Sequence, residues 1–105
     1  MRILVTGGAG YIGSVVVEEL IARGAERIVV LDDLSTGHED AVLSPAVFAR
    51  GDIADRALVA KLCRTHGVES VIHMAAFSSV ADSVREPDVY FDNNVTRGLA
   101  LLDAV

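Results

Sequence analysis

The sequence predicts an α/β fold in which one parallel sheet carries helices on both of its faces. Short apolar runs alternate along the chain with amphipathic helical segments, and parallel strands need such crossover helices to connect them. Hydrophobic residues make up 51% of the chain but aromatic residues only 5%, which suits closely packed aliphatic strands. Right-handed crossovers then predict strand order 3-2-1-4, the first half of a doubly wound sheet.

The predicted elements follow one another in the order that this sheet requires. Strands are expected at residues 3–5, 28–31, 47–49 and 70–73, and helices at 13–23, 55–65 and 88–104. Residues 34–45 are polar and turn-like, and glycines follow the first two helices. Apolar residues at helical spacing predict the inward faces of the three helices: Val16, Val17, Leu20 and Ile21; Leu58, Val59 and Leu62; Phe91, Val95, Leu99 and Leu102.

Composition excludes several classes of partner. The net charge is −6 and Lys and Arg are not clustered, so we expect no nucleic acid. No apolar run is long enough to span a bilayer or to form a signal-peptide core, so we expect no membrane association. A single cysteine excludes an internal disulfide and indicates a reducing compartment, and we therefore predict a cytoplasmic protein. The histidines and Cys63 lack zinc-ligand spacing, so no metal is expected.

A glycine-rich turn joins the first strand to the first helix. Residues 6–13 read Thr-Gly-Gly-Ala-Gly-Tyr-Ile-Gly, with Gly7, Gly10 and Gly13 in G-x-x-G-x-x-G spacing. Gly7 permits a sharp turn, Gly10 lets a diphosphate approach the backbone, and Gly13 allows the helix to pack close to the sheet. The helix N-terminus would direct its N–H groups at the phosphates. The context predicts a dinucleotide site; the alternative is a plain turn.

An acidic residue closes the second predicted strand. Asp32 lies about 20 residues beyond Gly13, where a carboxylate accepts hydrogen bonds from both ribose hydroxyls of an adenosine. The same charge repels a 2′-phosphate and no Arg follows nearby, so NAD is favoured over NADP. The alternative is a solvated acid at a strand end, and for Asp33 the two interpretations are balanced.

Other side chains are open to more than one interpretation. Asp52 could bind the adenine amino group while Ile53 packs against the ring, or either Asp52 or Asp55 could cap the following helix. We predict His73 to be a packed histidine rather than a catalyst, and Cys63 to be a buried apolar group. One of the pair Asn93 and Asn94 is expected to have a partner, because asparagine is a mediocre helix residue; the alternative is two solvated amides. Ser78 and Ser79 lack the G-x-S-x-G context of a nucleophile.

These motifs together resemble a known family. The glycine turn, Asp-Asp-Leu-Ser-Thr-Gly at 32–37, Gly-Asp-Ile at 51–53, Val-Ile-His-Met-Ala-Ala at 71–76, Ser83-Val84 with Pro87, and Asn-Asn-Val at 93–95 occur in this order. The whole chain resembles the N-terminal, Rossmann-like part of the extended short-chain dehydrogenase/reductases, the NAD-dependent epimerase/dehydratase family. Among them it is most similar to the sugar-nucleotide epimerases.

The resemblance implies a set of NAD contacts. The diphosphate would meet the glycine turn, the adenosine ribose the segment after the second strand, and the adenine the segment after the third. The end of the fourth strand would follow the diphosphate and nicotinamide ribose, and an asparagine would reach the nicotinamide. In that order the residues are Gly7, Gly10, Tyr11, Ile12, Gly13; Asp32, Asp33, Leu34, Ser35, Thr36, Gly37; Asp52, Ile53; Met74, Ala75, Ala76, Phe77, Ser78; and Asn93. Two positions depart from the family: Ser78 replaces a frequent Lys, and Arg97-Gly98 replaces a usual Gly-Thr.

For the full-length protein, the resemblance implies interconversion of UDP-glucose and UDP-galactose by transient oxidation at C4, in a homodimer. The family's catalytic Tyr-x-x-x-Lys pair is absent from this chain, since Val15 and Asn94 stand four residues after the two tyrosines. We therefore expect residues 1–105 to be the N-terminal part of an NAD-binding domain, truncated before the catalytic and substrate-binding segments and inactive alone. The alternatives are another NAD-dependent UDP-sugar epimerase, dehydratase or decarboxylase, or a non-catalytic NAD-binding protein of the same fold.

Overall fold

Four strands and two helices form the described part of the chain. The computed structural model describes residues 1–35, 37–42, 45–75, 88 and 99. The strands are β1 (Arg2–Thr6), β2 (Arg27–Asp32), β3 (Val47–Arg50) and β4 (Ser70–His73). The helices are α1 (Tyr11–Ala22), between β1 and β2, and α2 (Arg56–His66), between β3 and β4; a single 3₁₀ turn, Glu39–Ala41, interrupts the β2–β3 connection.

The predicted element order is confirmed, with small shifts at the boundaries. Strand β4 has the expected limits, and β1 and β2 are each extended by one residue at both ends. Helix α1 begins two residues earlier than predicted, because Gly10 in an extended conformation already serves as its N-cap. The predicted third helix lies outside the described residues except for Asp88 and Leu99, which are helical. Leu99 is exposed rather than facing inward.

The sheet has the predicted order, β3-β2-β1-β4, and every pair is parallel. Thr6 is in register with Leu31 on one side and with His73 on the other, while Asp32 is in register with Arg50. The four strands therefore end at nearly the same level. In open parallel sheets this carboxyl edge is where ligands bind.

Two apolar clusters cover the two faces of the sheet. Alternate residues of β1 and β2 point to opposite faces, so each central strand contributes to both clusters. The first cluster includes Val59 and Leu62 of α2, and the second includes Val17 of α1; all three were predicted to face inward. Leu58, Leu20 and Ile21 pack against these clusters from the same helices. Coverage of both faces fixes β1 and β2 at the centre of the domain.

Helix α2 carries its own signals at both ends. The Asp55 carboxylate accepts a hydrogen bond from the Leu58 N–H at 3.1 Å and is the N-cap. This resolves the choice left open by the sequence, because Asp55 and not Asp52 caps the helix. At the other end Gly67 adopts φ 63° and its N–H bonds to the Cys63 carbonyl, a common helix stop.

Candidate functional site

The glycine turn leaves β1 sharply and delivers the chain to α1. Gly7 has φ +72°, a conformation that costs glycine little and other residues more. The Gly7 N–H bonds to the Leu31 carbonyl at 2.8 Å, and the Gly7 carbonyl accepts from the Gly10 N–H at 3.1 Å. The turn is therefore anchored to β2 and closed on itself before the helix begins.

The three motif glycines serve different purposes in this turn. A Cβ on Gly13 would overlap the Gly7 carbonyl oxygen and lie 2.9 Å from the Gly7 carbonyl carbon, and one on Gly7 would lie 2.7 Å from the Met74 carbonyl carbon. Gly13 thus permits the helix to pack against the turn itself, rather than against the sheet as predicted. Among the residues that the structure describes, a Cβ on Gly10 would meet only the Gly7 oxygen, at 3.4 Å. No described residue would clash with a side chain at Gly10, so within the described part of the chain the space beside it is available to a ligand.

The first turn of α1 has no side-chain cap. Gly10 provides no side chain, the turn contains no acidic residue, and the Ser14 hydroxyl donates to the Tyr11 carbonyl rather than accepting from an amide. The first N–H groups of an α-helix have no partner within the helix and carry a partial positive charge. Tyr11 and Ile12 are 88% and 62% exposed. This helix end can therefore accept an anion such as a diphosphate.

Asp32 lies directly beside the glycine turn. One carboxylate oxygen accepts a hydrogen bond from the Ala9 N–H at 3.0 Å and the other from the Leu34 N–H at 2.8 Å. The residue is 8% exposed. Each carboxylate oxygen has two acceptor sites, so these two bonds leave capacity for hydroxyl donors. The structure brings the acid and the glycine turn together as the sequence predicted.

The segment after β2 folds around this acid. Asp33 is exposed and accepts from the Ser35 N–H at 2.9 Å in a local turn. Leu34 has φ 63°, an uncommon conformation for a leucine that often marks a functional segment. Gly37 returns to the glycine turn, where its Cα lies against the backbone of Ala9. Thr36 lies outside the described residues.

The segment after β3 contains the two residues that were predicted to meet an adenine. Asp52 is half-buried and accepts a hydrogen bond from the Ala54 N–H at 2.8 Å. Ile53 is only 6% exposed and belongs to the core cluster that contains Leu31 and Val59. Burial in the core removes its side chain from water and leaves chiefly its backbone to meet an adenine ring.

His73, at the end of β4, was predicted to be packed but is exposed. Its Nδ1 lies 2.6 Å from the Thr6 hydroxyl oxygen. That oxygen also accepts from the Met74 N–H at 3.1 Å. The Thr6 hydroxyl is fully buried, so its hydrogen needs an acceptor, and His73 Nδ1 is the one in reach among the described residues; we therefore assign the hydrogen to that bond. Partial desolvation lowers the pKa of His73. Met74 and Ala75 follow, both half-buried, with their backbone against Gly7.

The remaining residues considered in the sequence analysis either lie outside the described residues or have no partner chemistry to contribute to the site. Cys63 packs against the core as expected, and burial raises the pKa of its thiol. Among the described residues no group of histidine, cysteine and acidic side chains could hold a metal ion, and no helix is long and apolar enough to cross a membrane. The predicted contacts that fall outside the described residues, besides Thr36, are Ala76, Phe77, Ser78 and Asn93.

Several backbone contacts in this site have no signature in the sequence. Ala9 donates its N–H to Asp32, and its carbonyl accepts from the His38 N–H at 3.1 Å. Thr6 is fully buried and links β1 to β4 through its hydroxyl. A backbone N–H is the same group in almost every residue, so only the fold reveals which one faces a functional side chain.

The site combines a parallel sheet, a glycine turn that leads into an uncapped helix, and an acid at the end of the neighbouring strand. Together these features define the class of dinucleotide-binding domains. The chain belongs to the NAD dependent epimerase/dehydratase family, whose family model matches residues 3–105. The resemblance inferred from the motifs is thereby confirmed at the level of the family.

Similar proteins carry one recurring name. The UDP-glucose 4-epimerase of Lactobacillus helveticus is 50% identical over 105 residues, which are 100% of this chain and 32% of that protein. The UDP-glucose 4-epimerase of Thermus thermophilus, solved as a complex with NAD, is 46% identical with a TM-score of 0.92 over 99% of this chain and 33% of that one. The enzyme from Stenotrophomonas maltophila, with bound NAD and formylated UDP-arabinopyranose, has a TM-score of 0.95 at 40% identity, over 99% and 33% of the two chains. The chain thus spans about a third of the length of these relatives.

Proposed function

We propose that this chain binds NAD and forms the cofactor-binding part of a nucleotide-sugar epimerase. The observation that carries the proposal is the open side of Gly10 at the uncapped start of α1, where no described residue packs closely enough to require a glycine. A diphosphate fits that position, since it needs both close approach to the backbone and unpaired N–H groups. The family and the NAD complexes of similar proteins support the same ligand.

Asp32 favours NAD over NADP in this proposal. Its carboxylate has acceptor capacity for the two ribose hydroxyls, and it would lie against the extra phosphate of NADP. Residues 33–42 contain no Lys or Arg that could pair with that phosphate. Discrimination between the two cofactors therefore rests on one charge at the carboxyl end of β2.

The activity proposed for the full-length protein is interconversion of UDP-glucose and UDP-galactose, with a UDP-sugar as substrate and a homodimer as the assembly. The chemistry that bound NAD supplies there is reversible hydride transfer at C4 of the sugar. Residues of this chain would hold the diphosphate at the glycine turn and the adenosine ribose at Asp32. The chain lacks a Tyr-x-x-x-Lys pair, so we propose that residues 1–105 are the N-terminal part of an NAD-binding domain and that acid–base groups are supplied elsewhere.

Calorimetric titration of the chain with NAD and NADP tests the proposal, with Gly10→Ala as the decisive variant. The added methyl group occupies the space proposed for the diphosphate, so we expect NAD affinity to fall about thirtyfold, or about 2 kcal/mol. The urea unfolding midpoint should fall only slightly, because the new Cβ makes one ordinary contact with the described residues and alanine is a somewhat poorer N-cap than glycine. Adenosine, which lacks the diphosphate, should bind the variant and the original chain equally.

Two results would contradict the proposal. One is the absence of saturable NAD binding to the folded chain, and the other is equal NAD affinity for the Gly10→Ala variant. A separate assay with UDP-galactose and NAD should detect no turnover by these 105 residues. A full-length protein that binds NAD but does not turn over UDP-sugars would favour the non-catalytic alternative.

A further inference from the structure

We propose that Asp32 and Gly37 are positioning residues that hold the glycine turn in its binding geometry, through what we call the Ala9 clamp. The clamp consists of the Asp32 carboxylate, the backbone N–H and carbonyl of Ala9, and the Gly37-His38 backbone. The inference rests on the proposed function, because it concerns the diphosphate half of the same site. It assigns Asp32 a second role, separate from its contact with a ribose.

The clamp takes hold of Ala9 from two sides. The Ala9 N–H donates to Asp32 at 3.0 Å, and the Ala9 carbonyl accepts from the His38 N–H at 3.1 Å. Ala9 is 2% exposed, so neither bond competes with water. Hydrogen bonds to a charged acceptor are stronger than those between neutral groups. Both polar backbone groups of the residue before Gly10 are therefore fixed by β2 and the β2–β3 connection.

Gly37 allows the connection to lie this close. A Cβ on Gly37 would be 2.6 Å from both the carbonyl carbon and the oxygen of Ala9, and 2.9 Å from the Gly10 nitrogen. These are backbone atoms, which cannot rotate away as a flexible side chain can. The contact also explains why Gly37 is buried. Gly37 acts here as a spacer between two loops.

The clamp joins the two halves of the cofactor site. Ala9 directly precedes Gly10, the N-cap of α1, so the position of Ala9 sets the position of the amides that would meet the diphosphate. Asp32 is at the same time the acid proposed to accept the ribose hydroxyls. The order of the diphosphate turn thus depends on a side chain that a diphosphate alone would not contact.

Charge repulsion makes the two possible roles of Asp32 predict opposite changes in pyrophosphate affinity. Asp32 is an anion close to a site proposed for another anion, and like charges repel at this range. If Asp32 contacted only ribose, its removal would raise the affinity of the turn for pyrophosphate. If Asp32 holds the turn through the Ala9 clamp, removal of Asp32 lowers the affinity for pyrophosphate, although the repulsion between the two anions is also lost.

The experiment titrates inorganic pyrophosphate and adenosine separately into the folded chain, followed by amide chemical shifts. For Asp32→Ala we expect pyrophosphate affinity to fall about fivefold, somewhat less than the loss of one charge-assisted bond because the repulsion disappears too. Gly37→Ala should also weaken pyrophosphate binding, and more strongly than adenosine binding. Asp40→Ala is the matched control: it removes an exposed carboxylate from the same connection and should not weaken pyrophosphate binding.

A second readout needs no ligand. Asp32→Ala should speed hydrogen exchange at the His38 amide, and Gly37→Ala should speed it at the Ala9 amide. In each variant the substitution leaves the measured hydrogen bond itself in place, so faster exchange reports that the rest of the clamp has loosened.

If Asp32→Ala does not fold, Asp32→Asn carries the test, because it keeps one acceptor oxygen and should show a smaller loss of pyrophosphate affinity. Unchanged or higher pyrophosphate affinity in a folded Asp32 variant overturns the clamp. Failure of the original chain to bind NAD instead overturns the proposed function, and the exchange rates still decide the clamp.

Discussion

The two helices begin in contrasting ways, although each follows a strand of the same sheet. Helix α2 starts at a conventional cap, where the Asp55 carboxylate accepts from the Leu58 N–H. Helix α1 starts at Gly10 with neither a capping side chain nor an acid in its first turn. One helix has a carboxylate on its N-terminus, and the other, as far as the described residues show, has no side chain on its first N–H groups beside a glycine turn.

The difference shows how a protein can leave a helix end open at little cost. Glycine in place of a polar N-cap costs only a few tenths of a kcal/mol, whereas alanine costs about 1 kcal/mol. Gly10 therefore keeps α1 stable while leaving its first amides to a ligand. The capped end of α2 has no comparable opening, because Asp55 already occupies the position that an anion would take.

The largest expected effect concerns stability at the start of α1. Gly13→Ala places a methyl group on the Gly7 carbonyl, and because backbone must move to accept it, we expect the free energy of unfolding to fall by about 3 kcal/mol. Urea denaturation measures the change. Gly10→Ala is the matched control, with an expected loss of at most about 1 kcal/mol, the difference between glycine and alanine as an N-cap. Equal losses in the two variants would show that the two glycines do not differ as the structure indicates.

A smaller effect is expected at the start of α2. Asp55→Ala removes the cap and should lower the free energy of unfolding by about 1 kcal/mol, again measured in urea. Asp55→Asn keeps an acceptor oxygen and should retain most of the stability. NAD affinity should be unchanged in both variants, since Asp55 is not among the residues proposed to contact NAD. Loss of NAD binding on removal of this cap would mean that the two helix ends are not independent.

The sequence predicted the scaffold because each element carries a strong local pattern. Val59 and Leu62 lie at helical spacing and face the sheet as expected, and the β-branched run in β2 forms a central strand covered on both faces. The strand order follows from the handedness of parallel crossovers, which leaves few alternatives. The proximity of Asp32 to the glycine turn follows in turn from β1 and β2 being neighbours.

The details of the site were less predictable, because they depend on tertiary contacts that have no residue-type signal. The partner of Asp32 in the glycine turn is a backbone N–H of an alanine. Ile53 was expected beside a ligand, and its contribution to the core was not foreseen, since a lone apolar residue in a loop fits either place. His73 was expected to be packed but is exposed. The exposure of a side chain at the end of a strand depends on tertiary packing, which its neighbours in the sequence do not reveal.

The smallest expected effect is a pH dependence at His73, next to the strand end from which the glycine turn departs. Desolvation lowers its pKa below the usual 6.5, and the Thr6 hydroxyl donates to the nitrogen that a proton would occupy. The unfolded chain therefore binds this proton more readily than the folded chain does, so stability is fully present above about pH 6.5 and falls as the pH drops toward the folded-state pKa. Urea midpoints should decrease between about pH 7.5 and pH 5.5, and the decrease should be larger for the original chain than for His73→Gln, in which nothing titrates at this position.

Nitrogen chemical shifts of His73 should show the neutral ring with its hydrogen on Nε2, because Nδ1 accepts from Thr6. Equal pH dependence in the two chains, or a hydrogen on Nδ1, would mean that Thr6 does not hold the ring as the 2.6 Å contact indicates.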